Sequence, residues 1–405
     1  MKQLLLIFFI ATTLFGQLLI PNRNSRSWAV NLDGTTEYMS KSSPTKLDLN
    51  GDERITTATN RTFETTVGDW VAVGSASIDT SSAQKQAGAK SLKIITSGSW
   101  SGAQLPYSAF TALQQDANGI YEKYTLEFWV YNESADTVQA IIGDKSIKRN
   151  IPATTWTKFV YNFQTTANTI NQSIQILFKT TGKTNYVDNV SLAKVYDAVF
   201  FIWCFSNSLT QQTVMTNQND VNPNNPGYSF TNYASSPNLF WRFVLISTGG
   251  SSQYAFVYYL APPNEIITLV AVTINRTGNM ILYKDMVSMR TTSVSEVGNT
   301  NNTNAIRFGA EFDNGRKLSG QLGEVQITRF TDISQSNVNT TTLTQAYKLG
   351  IPKSWIGGGA EVVAHYKFRG ASDGDMLQDI SGNGNDLTGT NVSTADQVKA
   401  SYPSR

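Results

Sequence analysis

Chemistry in this 405-residue chain would have to be done with few reactive side chains, because it holds one histidine, His365, and one cysteine, Cys204. A Ser-His-Asp arrangement or a multi-histidine metal centre would rest on His365 alone. That residue lies in an apolar, strand-like run between Ala364 and Tyr366, where a structural role is expected. Retaining glycoside hydrolysis needs two carboxylates about 5 Å apart, which one strand supplies at alternating positions. The nearest stretch, Gly323-Glu324-Val325-Gln326-Ile327, has one carboxylate and places Gln326 where the second would stand. Asp375 and Asp379 sit in a turn-rich stretch and form no such strand pair. No glycine-rich phosphate loop follows a strand and opens a helix. The expectation is a non-enzymatic protein with no catalytic residues.

The elements that would position any site are short apolar runs separated by Ser, Thr, Asn and Gly, the pattern of an all-β protein. Charged residues make up 15% of the chain and the net charge is +2. With no block of Lys and Arg, a nucleic-acid partner has no electrostatic support. The length allows two or three domains. Phe200-Phe201-Ile202-Trp203-Cys204-Phe205 reads as a strand buried on both faces, with Cys204 a small core residue. A single cysteine permits no intrachain disulfide, so stability is expected from core area, with bound calcium as an optional addition, rather than from covalent staples. Residues 1–17 carry Lys2, an apolar stretch from Leu4 to Phe15, then Gly16 and Gln17. This is the pattern of a secretory signal cut after Gly16, and the alternative is an uncleaved anchor or a segment packed in a larger assembly.

Five passages between Asn60 and Leu192 carry a family resemblance. Asn60-Arg61-Thr62-Phe63-Glu64 with Gly68-Asp69-Trp70, then Gly88 to Ile94, Tyr124 to Tyr131, Trp156 to Phe163 and Asn185 to Leu192 occur in order. Together they resemble carbohydrate-binding modules of families 4, 9 and 22. The resemblance implies a β-sandwich over 52–195 and a structural Ca²⁺ held by Glu64 and Asp188. The reading of the residues leaves open that both carboxylates merely accept local backbone hydrogen bonds. Sugar recognition uses aromatic rings stacked on pyranose faces, with amides and carboxylates taking the hydroxyls. Trp100 and Tyr107, in a Gly- and Ser-rich stretch, are the candidate platforms here, while Trp70, Trp129 and Trp156 lie in strand motifs and are read as core.

Flanking passages carry a second resemblance. Ala29 to Tyr38, Val199 to Phe205, Ile266 to Asn275, Met280 to Asp285, Ala305 to Ala310 and Gly320 to Phe330 resemble the successive strands of a laminin-G-like, concanavalin-A-like jelly roll. The implied organisation is two antiparallel jelly-roll β-sandwiches, one inserted in the other. The outer one is formed by 26–51 plus 196–333, and a helix and partial laminin-G-like tail follow at 334–405. In that tail, Val362 to Phe368 and Asp379 to Thr388 resemble the family's opening signature. The tail is expected either to pack as a truncated repeat or to add strands to the same sheet or to another subunit. The order also resembles that of phage structural proteins. In the outer unit, Tyr228 and Tyr233 flank the Asn- and Pro-rich stretch 217–237 and are further candidate sugar platforms, beside Trp241.

These readings point to an extracellular glycan-binding or adhesion protein, foremost a phage virion decoration or host-attachment element. The alternatives are a secreted or cell-surface bacterial glycan-binding protein and, disfavoured by the missing carboxylate pair, a glycoside hydrolase. Its partners would be glycans or cell-surface polysaccharide, with homo-oligomer or virion assembly contacts and no nucleic acid.

Overall fold

The computed structural model describes residues 28–42, 44, 46–206, 210–218, 226–235, 238–247, 254–260, 268–300, 304–312, 315–349 and 351–399. The signal-like segment 1–17 lies outside them. The described chain is all-β, with antiparallel sheets and short helices.

It opens with β1 (Trp28–Asp33) and β2 (Tyr38–Lys41). There follow β3 (Asn50–Glu53), helix α1 (Thr59–Thr62), β4 (Val71–Val73), β5 (Ala76–Ser81), β6 (Ser91–Thr96), β7 (Ser101–Leu105) and β8 (Lys123–Asn132). Next come β9 (Asp136–Ile142), β10 (Lys145–Ile151), β11 (Thr157–Gln164), β12 (Ile174–Phe178) and β13 (Lys183–Val195). These middle strands, β3 to β13, form two sheets of their own. A five-stranded sheet runs β10-β9-β12-β7-β4, and a six-stranded one runs β11-β8-β13-β6-β5 with β3 added against β13. Strict alternation explains their facing. On β8, Tyr124, Leu126, Phe128 and Val130 are fully buried, and they share one core with Val138, Ala140 and Ile142 of β9. Each fully buried large side chain contributes on the order of 2 kcal/mol.

The remaining strands are β14 (Asp197–Ser206), β15 (Gln212–Thr216), β16 (Gly227–Ser235), β17 (Asn238–Ile246), β18 (Tyr254–Leu260), β19 (Thr268–Ile274) and β20 (Asn279–Lys284). They continue with β21 (Val287–Ser293), β22 (Ile306–Phe308) and β23 (Ser319–Phe330), then helix α2 (Thr340–Leu349), β24 (Glu361–Tyr366), β25 (Thr388–Thr390) and β26 (Gln397–Lys399). With β1 and β2 they form a second sheet pair. One sheet runs β21-β20-β19-β14-β23-β1-β26 with β24 also on β23, and the other runs β18-β17-β16-β15-β22-β2-β25.

β14 is buried on both faces, as its unbroken apolar run requires. Phe200, Ile202 and Cys204 enter the core between the two sheets. Val199, Phe201 and Trp203 enter a second core under α2, where Phe201 stacks on Trp355 at 5.3 Å and Trp203 on Tyr347 at 5.7 Å. Burial raises the Cys204 thiol well above its ordinary pKa, so it is an inert core group.

The tail adds strands within the same chain. β24 pairs with β23, β25 with β2, and β26 with β1, so residues 361–399 extend both sheets of this pair.

The two sheet pairs meet through buried polar groups. Lys123 of β8 is 1% exposed, and its Nζ lies 2.6 Å from Asp197 Oδ2, 2.9 Å from Asp332 Oδ1 and 3.0 Å from Asn275 Oδ1. Asp197 also accepts from the backbone N–H groups of Arg276 and Ile333. Gln164 of β11 donates to Asp332, and Asn162 donates to the carbonyls of Val294 and Val297. These contacts lie at the Lys123 end of the six-stranded sheet's outward face, several residues along β8 from Trp129 and Tyr131.

Candidate functional site

The outward face of the five-stranded sheet is where residues distant in sequence converge. Antiparallel register places directly opposed residues on one face. One row runs Val73, Gly102, Leu177, Gln139, Lys148 across β4, β7, β12, β9 and β10. The neighbouring row runs Val71, Gln104, Gln175, Ile141, Ser146 across the same strands. The inward partners, including Ala103, Ile176, Val138 and Ala140, are fully buried. The face therefore presents three half-buried glutamines, Gln104, Gln139 and Gln175, and an exposed Lys148. Gln175 Nε2 donates to Gln104 Oε1 at 2.8 Å, and Thr137 Oγ1 donates to Asn150 Oδ1 at 2.8 Å.

Trp100 immediately precedes β7 with a left-handed φ of 52°. Lys148 Nζ sits 4.4 Å from the centroid of its ring. β7 and β10 are three strands apart, about 14 Å at 4.8 Å per strand. The indole and the lysine side chain meet only by lying flat across β12 and β9. Their contact makes an aromatic floor on the face that carries the glutamines. Gly102 is required here, because a Cβ at that position would strike the carbonyl oxygen of Ile176.

Tyr107 lies beyond the other end of β7 and is 53% exposed. The two aromatic candidates of this segment thus flank one strand at its two ends, on the order of 20 Å apart along an extended chain.

Tyr228 does not match the expectation. It is 1% exposed, packed 4.9 Å from Phe200 and 6.3 Å from Phe243, with its hydroxyl donating to Leu47 O. No ring face is open to a sugar. The reason is that Gly227–Ser235 is a paired strand, β16, rather than part of a long loop, and Tyr228 falls on its inward side with Phe230. Trp241 is likewise core, stacked on Phe230 at 5.2 Å. Tyr233 lies on β16 opposite Phe240, and its side chain lies outside the described residues.

Glu64 and Asp188 both address the loop 86–89. Glu64 Oε2 accepts from Ala89 N at 2.7 Å, while Asp188 Oδ2 accepts from Gln86 N at 3.0 Å and Ala87 N at 3.2 Å. A Cβ on Gly88, whose φ is 66°, would strike the Glu64 carboxylate. Asp188 is fully buried, beside a bulge where Asn189 takes a φ of 49°. Burial raises its pKa and the nearby Glu64 charge adds to the rise, against the backbone N–H groups that pull it down. Both carboxylates thus accept local backbone hydrogen bonds, and as two oxygen donors they would supply only part of the six to eight oxygens Ca²⁺ takes. Among the described residues no cluster of three or more His, Cys, Asp or Glu is placed to hold a metal.

The strand that would carry a glycosidase pair is otherwise engaged. Glu324 Oε1 lies 2.7 Å from His365 Nε2. Gln326, on the same face of β23, is fully buried, donating to Pro352 O at 2.6 Å and accepting from Trp355 Nε1 at 3.0 Å. His365 is therefore a packed, hydrogen-bonded strand residue.

Two of the three tryptophans read as core are not. Trp70 is 2% exposed and packs against Phe63, but Trp129 and Trp156 stand half-buried on the outward face of the six-stranded sheet. Sequence alternation identifies that Trp129 opposes the core-facing Phe128 and Val130. It does not identify whether a neighbour covers the other face.

No known family profile matches this chain, and no curated protein is similar to it. Among solved structures, a xylan-binding family 22 module from Paenibacillus barcinonensis aligns at 13% identity over 33% of this chain and 92% of its own, with a TM-score of 0.28. A family 16 carbohydrate-binding module aligns at 18% identity over 33% and 96%, with a TM-score of 0.25. A heptameric pentraxin from Limulus polyphemus aligns at 10% identity over 67% and 93%, with a TM-score of 0.29.

Proposed function

We propose that this is a non-enzymatic, extracellular carbohydrate-binding and adhesion protein whose ligand lies on the outward face of the five-stranded sheet. The observation that carries the reading is the Trp100 ring held against Lys148 on the sheet face whose registered rows hold Gln104, Gln139 and Gln175. Lys148 takes one face of the indole and a pyranose takes the other. The amides then pair with hydroxyls in both donor and acceptor sense, as sugar binding requires. Tyr107 closes the far end of the same strand.

In this reading residues 50–195 are a carbohydrate-binding module inserted into a laminin-G-like, concanavalin-A-like sandwich. Glu64 and Asp188 hold a structural Ca²⁺ that removes the charge conflict between them and fixes loop 86–89. The protein acts as a phage virion decoration or host-attachment element, and repetition on a particle raises weak single-site binding by orders of magnitude. A secreted or cell-surface bacterial role would use the same face.

The test is a glycan array probed with the full chain, with and without calcium, alongside Trp100→Ala and Gln139→Ala. Selective binding lost in both variants establishes the site. Equal binding by all three proteins moves the ligand elsewhere, and absence of binding by a multimerised wild type overturns the function.

A further inference from the structure

The outward face of the six-stranded sheet carries a feature that neither the core nor the junction between sheet pairs uses. Register aligns Tyr131 of β8 with Tyr186 of β13, Tyr186 with Lys93 of β6, and Lys93 with Asp79 of β5. Trp156 stands just before β11 on the other side of Tyr131, with ring centroids 5.7 Å apart, and Tyr131 and Tyr186 meet edge to face at 6.0 Å. Trp129, two residues before Tyr131 on the same strand face, lies opposite Lys158 and Asp188. Trp129, Tyr131 and Trp156 are each half-buried, on a face whose inward counterparts Phe128, Val130 and Phe159 already fill the core.

The strip has walls. Loop 86–89 hangs on Asp188 at one side. Toward the junction, Glu127 sits two residues before Trp129 on the same face, pairs with Lys158 at 3.0 Å, and accepts from the backbone N–H of Asn299. Asn299 therefore borders the strip where contact between the sheet pairs begins.

We propose that Trp129, Tyr131 and Trp156, backed by the buried Tyr186 ring that packs edge to face on Tyr131, form a second glycan-docking platform, separate from the Trp100 face and on the opposite sheet. The footprint decides the class of ligand. Rings from β11 to β13 span two strand spacings, about 10 Å, and two residues along β8 span about 7 Å. A patch on the order of 100 Å² is far below the roughly 800 Å² per partner of a stable protein interface. It matches a few pyranose rings. The rings stand beside hydrogen-bonding groups, the Tyr131 hydroxyl, Lys93 and Asp79, with Ile95 as an exposed aliphatic neighbour on the same face. Aromatic faces for the apolar side of a sugar and polar tips for its hydroxyls are the two elements of recognition.

The proposal rests on the glycan-binding reading above, and calorimetric titration separates the two. The probes are cellohexaose, xylohexaose, laminarihexaose and chitohexaose. The proteins are the wild-type full chain, a first-face variant Trp100→Ala/Gln139→Ala, and the strip variants Trp156→Ala and Tyr131→Ser. With two platforms the wild type binds more than one equivalent, the first-face variant keeps a site, and each strip variant weakens that site tenfold or more while retaining the other. Retained binding at the Trp100 face reports that a strip variant is folded. Loss of all binding in the first-face variant, with strip variants unchanged, overturns the second platform and leaves the first. Binding unchanged in the first-face variant and lost in the strip variants upholds the platform and overturns the first site. A wild type that binds no probe overturns both. Light scattering in parallel shows whether Trp156→Ala changes the oligomeric state, and such a change would make the strip a contact between copies instead.

Discussion

Lys123 Nζ and Asp197 Oδ2 lie 2.6 Å apart, each no more than 1% exposed, one on a strand of the five- and six-stranded pair and the other on a strand of the larger pair. Removing one partner of such a pair leaves an uncompensated buried charge, at a cost of about 3–5 kcal/mol. Lys123→Ala is expected to lower stability by that order in urea unfolding. Lys123→Met combined with Asp197→Asn should recover part of the loss, because Asp197 is then neutral and only Asp332 keeps a charge that Lys123 had paired. The same clamp should make the two sheet pairs melt as one calorimetric transition in the wild type and as two in Lys123→Ala.

Trp100→Ala should weaken glycan binding tenfold or more, equivalent to about 1.4 kcal/mol. Lys148→Ala leaves the floor in place and frees its second face. Its effect on affinity should be smaller, and tryptophan fluorescence should report the lost ammonium contact.

Calcium should raise the melting temperature of the wild type, since a ligand bound only to the folded chain adds about 2.7 kcal/mol at a hundred times its dissociation constant. Glu64→Gln and Asp188→Asn should each abolish the rise. Without calcium, Glu64→Gln should be more stable at neutral pH than the wild type, because it removes the charge that opposes buried Asp188 while its amide oxygen can still accept from Ala89 N. Melting curves with calcium and with chelator check both statements.

Asp48 gives a pH dependence of definite sign. Burial raises its carboxyl pKa to about 6, with the Arg329 charge pulling the other way. A carboxyl whose folded pKa lies above its unfolded value binds more protons in the folded state, so its contribution is fully present below about pH 4 and is lost as pH rises through about 6. Asp48→Asn should flatten stability between those limits and raise it at pH 7. Denaturant titrations from pH 4 to 7 on both proteins measure the difference.

Much of the middle unit was legible in its motifs. Tyr124 to Tyr131, Trp156 to Phe163 and Asn185 to Leu192 mark β8, β11 and β13, because alternating aromatic and β-branched residues have few other ways to bury one face. Trp100 stood out as an aromatic among glycines and serines. Gln104, Gln139 and Gln175 did not, since strand register rather than sequence proximity brings them into contact or onto one face. Tyr228 was misread because Asn and Pro dominate the residues before it, while the alternation of Tyr228 and Phe230 that buries it begins only at β16. Trp129 and Trp156 show the complementary limit. Period-two patterning separates the two faces of a strand, but which face another layer covers is a property of the assembled sheets.

The pairing of β24, β25 and β26 with β23, β2 and β1 has a consequence for synthesis on the ribosome. The strands at 28–41 emerge first, yet the edges beside them close only after residues 388–399 have left the exit tunnel. Residues 50–195 pair among themselves and can fold while the rest is being translated. β1 and β2 meet β23 and β22 on one side, but their other edges must wait for β26 and β25, about 350 positions or more downstream, open to neighbouring nascent chains in the meantime. A stalled chain ending at residue 360 should therefore protect the middle unit from protease and leave 28–41 susceptible.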